Sequence, residues 1–443
     1  MHSRSGHGHP RHGTGAPPNA VAALPYDNAV ALPIVGRPGA VHEAVINISP
    51  DGPFTATGIS YGFEQERGAP FGAFLPAGGP ATAPGALTLG SFPLDVLMDG
   101  LRVGPRFLTV VFDTQAGPNG IEITGNFSAS PIPAQALNTT PIFERIAPDR
   151  PIEFFFTIID TASGREFQHE PAFNVASLGD GTGRRPFRFL ATPVHFGPRS
   201  SVRVQVIERT EGVRGTLFLN LFGSQAATVC NAAPPPPPPG DSRVIPFDYV
   251  AKVKLTGRSG NRLEDEVPIN AEGGFFATHL SYGLQTDDPA ITVSLPSPPP
   301  ATVNLNAIRL DQLSADALVD GFRIAPGFLR LAVDANGTLN TTLPANLVNR
   351  VFESLNRPES VSFRYALFDS GIGRDLQNQA LHNVAGLGSA NGERPFKRFS
   401  IPLHLGARSS VRFTVDERFG RGELFLVLQG YKVLQGAAAG GRA

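Results

Sequence analysis

Residue types that could support hydrolysis occur in one segment of the chain and recur in a second. In sequence order they are His195, Ser200 and Glu208, and then His404, Ser409 and Glu417. In a nucleophilic triad the histidine accepts the serine proton and the acid orients the histidine. Neither serine lies in a nucleophile elbow or follows a glycine-rich oxyanion loop. Retention in both segments also has a structural explanation, because Arg199 and Glu208 are placed to pair across a hairpin. We therefore predict no catalytic residue in either segment.

Metal and cofactor chemistry has little support in the sequence. His2, His7, His9 and His12 form a cluster, but a glycine-rich tail gives its side chains no fixed geometry for a metal. Cys230 is the single cysteine, so the chain has no internal disulfide and no cysteine-based metal site. Phosphate-binding loops and dinucleotide-binding fingerprints are absent. We predict no cofactor and no metal, and we interpret the histidine cluster as part of a flexible tail.

Polar residues in two further loops are the candidates for a binding site. They are Arg165, Gln168 and Asn174 in one loop, and Arg374, Gln377 and Asn383 in the other. Polar loop residues that occur twice can mark a surface that contacts another protein. They can equally stabilise turns, as asparagine and glycine often do. The sequence alone leaves both interpretations open, and we treat the six residues as candidate contact residues.

These recurrences belong to one long repeat, in which each half contains the same ordered motifs. Gly164-Arg165 returns as Gly373-Arg374, Asn174-Val175-Ala176 returns as Asn383-Val384-Ala385, and Arg199-Ser200-Ser201-Val202-Arg203 returns as Arg408-Ser409-Ser410-Val411-Arg412. Nearer the start of each half, Pro25-Tyr26-Asp27 matches Pro246-Phe247-Asp248, and Ser60-Tyr61-Gly62 matches Ser281-Tyr282-Gly283. A repeat this long predicts two copies of a whole folding unit, in contrast to the short repeats of a solenoid.

The repeat and the composition divide the chain into five parts. We predict a flexible His/Gly/Pro tail over 1–24, a first unit over 25–228, a proline-rich linker over 229–244, a second unit over 245–434 and a flexible tail over 435–443. The linker contains the run Pro234–Pro239, which predicts a semi-rigid extended spacer that keeps the units apart. Extra residues in the first unit are expected around Gly117–Pro133, in a surface loop.

Strand patterns dominate both units. Apolar residues alternate with polar ones from Val202 to Val206, which is typical of a half-buried strand. Leu217–Phe222 and Leu424–Leu428 are continuous apolar runs that predict central strands, and Phe154–Ile159 and Ser362–Phe368 are similar. The best helix candidate is Ala345–Leu355, with Pro141–Ile146 as its counterpart. Gly- and Pro-rich segments separate the strands, as in all-β folds. We predict an all-β protein with two tandem antiparallel β-sandwich domains, jelly-roll-like, that arose by internal duplication.

Composition excludes several classes of partner. The formal net charge is -1, so no overall field attracts nucleic acid or an anionic membrane. The chain contains no apolar run long enough to span a bilayer, and the first residues lack the apolar core of a secretory signal. We therefore expect no nucleic acid as partner and no membrane insertion. Tryptophan is absent and tyrosine numbers only 6, which weakens the case for stacking on sugars.

The repeated block and its ending resemble a family of structural proteins. The ending contains Gly422, Leu424 and Leu428, followed by Gly430-Tyr431-Lys432, whereas the first unit has Gly223-Ser224-Gln225 at the last of these positions. The block is similar to one found in structural proteins of tailed bacteriophages and related particles. The resemblance implies a non-enzymatic virion component, such as a capsid-associated, tail or fibre protein. It also implies other particle proteins as homo- or hetero-oligomeric partners, and assembly of the particle in the host cytoplasm.

Three functions are thus open at the level of sequence. A structural component of a phage-like particle, acting through protein–protein contacts, agrees with the repeated β units and the missing cofactor motifs. A carbohydrate- or receptor-binding adhesin is the alternative, because tandem modules gain avidity, and a glycan ligand would then be bound. An enzyme has the least support.

Overall fold

In the computed structural model, the structure describes most of the chain outside its two ends. The described residues are 20–66, 70–71, 87–92, 94–103, 114–117, 120–123, 143–146, 152–178, 187–229, 242–286, 291–325, 328, 342–357, 360–388 and 396–435. The histidine cluster and the run Pro234–Pro239 lie outside the described residues.

Most strands of the first half form two facing sheets, which we call the first sandwich. Its strands are β1 (Ala20–Ile34), β2 (Val41–Asn47), β3 (Phe54–Gln65), β9 (Phe154–Asp160), β10 (Arg165–Glu166), β11 (Ala172–Phe173), β12 (Phe187–Phe196), β13 (Ser201–Glu208) and β14 (Gly215–Val229). One sheet has the order β1-β14-β3-β12, and the other has the order β10-β9-β13-β2, with β11 also paired to β9. The pairs within both sheets are antiparallel.

The second half forms a second sandwich with the same order of strands. Its strands are β15 (Ser242–Thr256), β16 (Arg262–Pro268), β17 (Gly273–Thr286), β22 (Ser362–Asp369), β23 (Arg374–Asp375), β24 (Leu381–His382), β25 (Phe396–Leu405), β26 (Ser410–Phe419) and β27 (Arg421–Gln435). The sheets have the orders β15-β27-β17-β25 and β16-β26-β22-β23, with β24 also paired to β22. Each strand thus has a counterpart in the first sandwich, at the position that the sequence repeat assigns to it.

The strand order identifies the architecture of each sandwich. Counted along the chain, with the two short pieces β10 and β11 taken together as the fifth strand, one sheet has the order first–eighth–third–sixth. The other has the order second–seventh–fourth–fifth. Eight antiparallel strands in this arrangement form a jelly roll, with two Greek keys wrapped into a sandwich. The prediction of an all-β, jelly-roll-like fold is confirmed.

The strands follow from the patterns in the sequence. Along β13 the valines Val202, Val204 and Val206 are buried, while Arg203 between them is exposed, so one face of the strand lies on the core. The apolar runs Leu217–Phe222 and Leu424–Leu428 lie within β14 and β27. Both strands pair on two sides and are therefore central in their sheets, as predicted.

One close backbone contact requires glycine at the same place in both sandwiches. A Cβ on Gly223 would lie 1.9 Å from the carbonyl oxygen of Thr55, and a Cβ on Gly430 would lie 1.9 Å from that of Phe276. Any side chain would push the paired strands apart at this point. This explains why the glycine occurs in both halves.

The segments between the sandwich strands form a smaller third layer that contains residues of both halves. We call it the shared module. It contains β4 (Pro70–Phe71), β5 (Leu101–Val103), β8 (Phe143–Arg145), β18 (Thr302–Asn304), β19 (Phe322–Ile324), β20 (Thr342–Pro344) and β21 (Phe352–Ser354), with α1 (Leu94–Asp99) and α3 (Ala315–Asp320). One sheet with the order β21-β19-β5-β8-β4 runs across both halves, and β18 pairs with β20. A separate hairpin is formed by β6 (Thr114–Gly117) and β7 (Gly120–Ile123).

Among the described residues, the two sandwiches and the shared module each have a hydrophobic core, and a fourth, small cluster contains Leu24 and Ala227. Leu101 and Phe322 meet in the core of the shared module, where both are almost completely buried. The cores of the sandwiches are separate, except that Ala29 and Phe218 of the first half belong to the core of the second sandwich. The shared module lies outside the simple division into two units that the repeat predicts.

The helix predictions are wrong. The segment predicted as a helix over Ala345–Leu355 forms a 3₁₀ turn over Ala345–Arg350 and then enters β21. Its counterpart over Pro141–Ile146 contains β8. The remaining helices are short, with α2 (Asn174–Leu178) and α4 (Asn383–Leu387) inside the sandwiches. Pairing across the shared module overrides the local helical preference of these segments, because a paired strand also buries apolar side chains.

The boundaries of the strands also refine the predicted division. β1 begins at Ala20, within the predicted tail, and β14 continues to Val229. The predicted separation of the two units by a proline spacer is wrong, because the two sandwiches touch directly. The backbone nitrogen of Asp27 donates to the carbonyl oxygen of Leu376 at 3.2 Å, for example.

Asn174 and Asn383 offer a test of how each sandwich is held together. The Asn174 side chain accepts a hydrogen bond from the Phe154 nitrogen at 2.8 Å and donates to the Ile152 oxygen at 2.9 Å, fully buried. We expect Asn174→Ala to lower the free energy of unfolding by about 2–4 kcal/mol, since two buried backbone groups lose their partner. Chemical denaturation of the variant measures this.

The exposed Asn47 provides the matched control, and Asn47→Ala should change the stability by less than about 0.5 kcal/mol. Equal effects of the two substitutions would contradict the structural role of Asn174.

Candidate functional site

The three residues of the first candidate triad do not contact one another. The Nδ1 atom of His195 lies 2.9 Å from Thr55 Oγ1, on an exposed strand edge. Ser200 donates its hydroxyl proton to the carbonyl oxygen of Gly197 at 2.6 Å, which closes a turn. In the second half, the ring of His404 packs 4.4 Å from that of Phe276, and burial lowers the pKa of this histidine. None of these contacts activates a serine.

The two repeated glutamates hold the turn that follows the first strand of each sandwich. Glu208 accepts hydrogen bonds from the backbone nitrogens of Val35 and Arg37, at 2.8 and 2.9 Å, and contacts His42. The predicted pairing of Glu208 with Arg199 is therefore replaced by contacts with the β1–β2 turn. Glu417 in the same way accepts from the backbone of Thr256.

The environment of Glu417 shows that its role is structural. Burial raises the pKa of Glu417, and hydrogen bonds from the backbone of Thr256 and Arg258 and from Asn261 oppose that shift. Each of these donors belongs to the turn between β15 and β16. The carboxylate is thus committed to shaping the turn, and its recurrence in both halves needs no catalytic explanation.

Metal and small-molecule sites find little support in the part of the chain that the structure describes. No group of three His, Cys, Asp or Glu residues is arranged to hold a metal ion there. A cavity of about 140 Å³ lies in the shared module between Phe92, Leu97 and Phe352. It is apolar and smaller than the pockets of about 300 Å³ or more that usually hold ligands. None of the helices in the described residues has the length and apolar character to span a membrane.

The six predicted contact residues divide into interior and surface positions. Asn174 and Asn383 are completely buried, and each bonds to the backbone of its own sandwich. Gln168 and Gln377 accept from the backbone of Ile158 and Leu367, both at 2.9 Å. These four side chains stabilise the fold of the loop, as the second of the two interpretations expects.

The two arginines of this set lie at the surface of their loops. Arg165 is exposed. Arg374 binds Asp51 of the other half, with 2.5 Å between its Nη1 atom and the carboxylate. The hydrogen bond from Arg374 lowers the pKa of Asp51. The loop of the second half therefore does make a contact, and the partner is the first half of the same chain.

That contact joins two different surfaces of the jelly roll. The first is the outer surface of the four-stranded sheet β1-β14-β3-β12 in the first sandwich or β15-β27-β17-β25 in the second, which we call the sheet face. The second is the side of the sandwich next to the last strand of that sheet. It contains β22, the segment from β23 to α4, and the edge of β25 in the second sandwich, or β9, the segment from β10 to α2, and the edge of β12 in the first. We call it the loop face. In this chain, the loop face of the second sandwich covers the sheet face of the first.

The edge strand β1 is the centre of this contact. Asp27 forms a parallel bridge with Gln377, and the nitrogen of Asn378 donates to the oxygen of Asp27 at 3.1 Å. Two positions along the strand, the Asn378 side chain bonds both to the nitrogen and to the oxygen of Ala29, each at 2.9 Å. The backbone groups of Asp27 and Ala29 at the edge of the sheet are thus paired, which covers this part of β1.

Small residues on β3 allow helix α4 to approach closely. The Ser60 hydroxyl donates to the carbonyl oxygen of Ala385 at 2.7 Å, and Ser60 is completely buried. A Cβ on Gly62 would lie 2.5 Å from the backbone nitrogen of Ala385. Only glycine at position 62 therefore permits the two backbones to touch.

Ion pairs surround the apolar contact and one is buried within it. Lys397 binds Asp27, and the side chains are only 9% and 6% exposed. Glu64 on β3 binds Arg364 at 2.8 Å and Arg418 at 3.3 Å. Charges buried in a contact restrict how the two surfaces can align, because misalignment leaves a charge unpaired.

An aromatic cluster completes the contact. The ring of Phe218 on β14 stacks on the ring of His382, with 5.8 Å between centroids. The Arg364 guanidinium lies 4.9 Å from the centre of the Phe218 ring. Phe218 is almost completely buried, although its side chain points away from the core of its own sandwich.

The shared module makes a different type of contact. There Leu101 pairs with Phe322, its counterpart in the repeat, and Gly100 and Gly321 each approach a residue of the other half, Leu355 and Ile146. Equivalent surfaces therefore meet each other in the shared module. In the sandwiches, by contrast, a sheet face meets a loop face.

Sequence reasoning identified part of this site. Asp27 and Ser60-Tyr61-Gly62 stood out as repeated motifs, and Arg374 as a candidate contact residue. Nothing in the sequence connected the two sets, because they are separated by most of the chain. The sequence analysis did not identify Lys397 or Asn378 as contact residues. The only sequence feature that could have indicated them is that each follows a repeated motif.

Comparisons with known proteins give little information on this chain. No protein-family model matches the sequence, and no curated protein matches it. Similar solved structures come from viruses. One is described as the triple jelly-roll fold and turret assembly of an archaeal virus, with 7% identity and a TM-score of 0.17, over 95% of this chain and 60% of that chain.

Two further examples of similar solved structures also come from viruses. One is from the Sulfolobus turreted icosahedral virus, with 9% identity and a TM-score of 0.21, over 93% of this chain and 90% of that one. Another is from the Sputnik virophage, with 8% identity and a TM-score of 0.15, over 99% and 94% of the two chains. The chain spans about 60% of the length of the first structure named above. At these TM-scores the similarities carry no argument about fold or function.

The buried pair between Lys397 and Asp27 generates a test of the contact. Lys397→Met leaves the carboxylate of Asp27 buried without its charged partner, so we expect a loss of about 3–5 kcal/mol in the free energy of unfolding. The double variant Lys397→Met with Asp27→Leu should recover most of this loss. Denaturation of the dilute chain measures both.

Arg188 is the counterpart of Lys397 in the first sandwich and is exposed, which makes it the matched control. Arg188→Met should change stability by less than about 0.5 kcal/mol. If the two single variants are equally stable, Lys397 does not hold the sandwiches together.

Proposed function

We propose that the chain is a non-enzymatic structural component of a viral or phage-like particle, and that it acts through protein–protein contacts. Its role as a capsid-associated, tail or fibre protein of a bacteriophage belongs to the same proposal, as does assembly in the host cytoplasm. Of the six loop residues named from the sequence, Arg165 enters the proposal as an exposed contact residue, whereas Arg374 contacts the first half of the same chain.

The observation that carries this proposal is the direct packing of two jelly rolls, side by side, within one chain. The contact between them buries a charged pair, Lys397 and Asp27, together with backbone bonds to β1. The two jelly rolls have broad sheet surfaces and are held in a fixed relative position, which suits the chain to packing against neighbouring copies or other proteins. The residues most suggestive of catalysis, His195 and His404, have partners that explain them structurally.

An adhesin that binds carbohydrate or a receptor is the other function considered from the sequence. The comparisons add no support for it. Aromatic side chains of the described residues mostly pack in the cores or between the sandwiches, as Phe218 does. We therefore retain the structural role as the single proposal.

The proposal predicts that the chain is a stoichiometric part of a particle. Particles purified by density gradient from the source should contain the chain at a constant ratio to the other particle proteins, measured by quantitative mass spectrometry. The ratio should survive washing in moderate salt, because the contacts bury apolar surface as well as charge. A soluble non-particle protein of similar abundance serves as the control for carry-over. A chain that remains in the soluble fraction and never reaches a constant ratio would overturn the proposal.

A further inference from the structure

Each sandwich has one sheet face and one loop face, and the contact between the described residues of the two sandwiches uses one of each. The loop face of the second sandwich covers the sheet face of the first. The sheet face of the second sandwich and the loop face of the first sandwich have no such cover within the described part of the chain. The same kind of contact could therefore form again, because the described residues leave one sheet face uncovered on the second sandwich and one loop face uncovered on the first.

Residues on the uncovered sheet face are exposed at positions where the covered sheet face has buried residues. Asp27 and Ala29 are buried on β1, with Ala29 2% exposed, whereas Asp248 is exposed on β15 and Val250 is 44% exposed. Gly62 touches the backbone of the other half, while its counterpart Gly283 faces open space.

The uncovered loop face shows the same contrast. Ala385 is completely buried against β3, but its counterpart Ala176 is exposed. Leu376 is 3% exposed, whereas Phe167 at the same position is 37% exposed. Val175, which precedes Ala176, is 41% exposed, and its counterpart Val384 is half-buried. These apolar side chains are therefore more exposed than their counterparts in the second sandwich.

The charges of the two uncovered faces complement each other in the same pattern as the covered pair. Lys397 binds Asp27, and the counterparts are Arg188 on the uncovered loop face and Asp248 on the uncovered sheet face. Both counterparts are exposed, and their charges are again opposite.

A second charged pair is kept in the same way. Arg374 binds Asp51, and the counterparts are Arg165 and Glu272. Arg165 is exposed. The side chain of Glu272 is 71% exposed, and its carboxylate lies 3.9 Å from the Nζ atom of the buried Lys432 in the same sandwich. Two independent ion pairs of the covered contact could thus re-form between the uncovered faces.

One ion pair of the covered contact has no charged counterpart on either uncovered face. Glu64 binds Arg364 across the covered contact. Their counterparts are Gln285 and Phe155, both neutral. A contact between the uncovered faces would therefore contain no carboxylate at this position. The second partner of Glu64, Arg418, keeps its charge in its counterpart Arg209, which is exposed and lies 5.6 Å from the centre of the Phe155 ring.

The stacked pair is replaced by a similar one. Phe218 and His382 stack across the covered contact. Their counterparts are Phe425 on the uncovered sheet face and Phe173 on the uncovered loop face, both half-buried. Two phenylalanine rings can make the same type of contact.

We propose that a second copy of this chain occupies these faces, with the loop face of its first sandwich on the sheet face of the second sandwich of its neighbour. Arg165 then binds Glu272 and Arg188 binds Asp248 across the two chains. A contact between non-equivalent surfaces is heterologous, so copies add head to tail and close into a ring if the rotation permits. This inference rests on the proposed function and names one partner within that assembly.

Crosslinking of two singly substituted full-length chains tests this directly. One chain carries Arg165→Cys and the other Glu272→Cys, each with Cys230→Ser to remove the natural thiol. The chains are mixed and treated with a short bis-maleimide. We expect a crosslinked dimer in the mixture and none with either chain alone, since a heterologous contact does not place position 165 beside itself.

The chain provides its own positive and negative controls. Arg374→Cys with Asp51→Cys in one chain should crosslink internally, because these positions already meet. Glu43→Cys replaces Arg165→Cys in the negative control, since β2 lies at the opposite edge of its sheet from β10. Crosslinking of Glu43→Cys that equals that of Arg165→Cys would overturn the proposal, because it would show random collision.

Charge reversal tests the same pair without a reagent. Arg165→Glu or Glu272→Arg alone should weaken self-association at least about tenfold, because like charges then face each other. A chain that carries both reversals should recover the association of the natural chain. Sedimentation velocity over a concentration series measures it. No self-association by the natural chain, or no recovery by the double variant, would refute the proposed contact.

The outcomes separate this inference from the proposed function. A chain that is stoichiometric in particles but gives no crosslink between positions 165 and 272 refutes the contact and leaves the structural role intact. A chain that crosslinks as expected but is absent from particles refutes the structural role and leaves the contact intact.

Discussion

The arrangement of the two halves depends on how the edge strand β1 is covered. An edge strand presents backbone groups that pair with any strand or loop that reaches them, so a folded protein must cover or use it. Here the cover is specific, because Asn378 satisfies both backbone groups of Ala29 and the backbone around Gln377 pairs with Asp27. Gly62 and Ser60 then fix how closely α4 approaches. The position of the second sandwich follows from these few contacts.

The buried ion pair of Lys397 and Asp27 determines how the two faces align. A buried ion pair contributes little net stability compared with an apolar contact, but an unpaired charge in its place is costly. It therefore selects one alignment of the two faces among many that would bury similar apolar area. The shared module contributes a separate core, in which Leu101 meets its counterpart Phe322, so the chain joins its halves in two independent ways. The contact between the sandwiches joins two different surfaces and leaves one of each uncovered among the described residues. The contact in the shared module joins equivalent surfaces of the two halves.

The fold was largely predictable from the sequence, whereas the contact was not. Alternation along Val202–Val206 and the apolar run of Leu217–Phe222 specify strands locally, so the all-β prediction needed no tertiary information. The shared module was missed because its strands, such as β5 and β19, have three residues each and become strands only by pairing with the other half. The helix predicted over Ala345–Leu355 failed for the same reason. Asn174 and Gln168 stood out as candidate contact residues, but their side chains bond to the backbone of their own sandwich. A repeat in one sequence does not distinguish a residue that holds a loop from one that binds a partner. Only burial makes that distinction.

The loop face of the second sandwich is covered within the chain, and we propose that the loop face of the first sandwich binds a second copy. Hydrogen–deuterium exchange on the monomer and on the assembled protein tests this most directly, because amide protection reports local opening. We expect the amides of 374–387 to be protected in both states. The amides of 165–178 should exchange faster in the monomer and become protected on assembly. Unchanged exchange of 165–178 on assembly, or equally fast exchange of 374–387 in the monomer, would contradict this expectation.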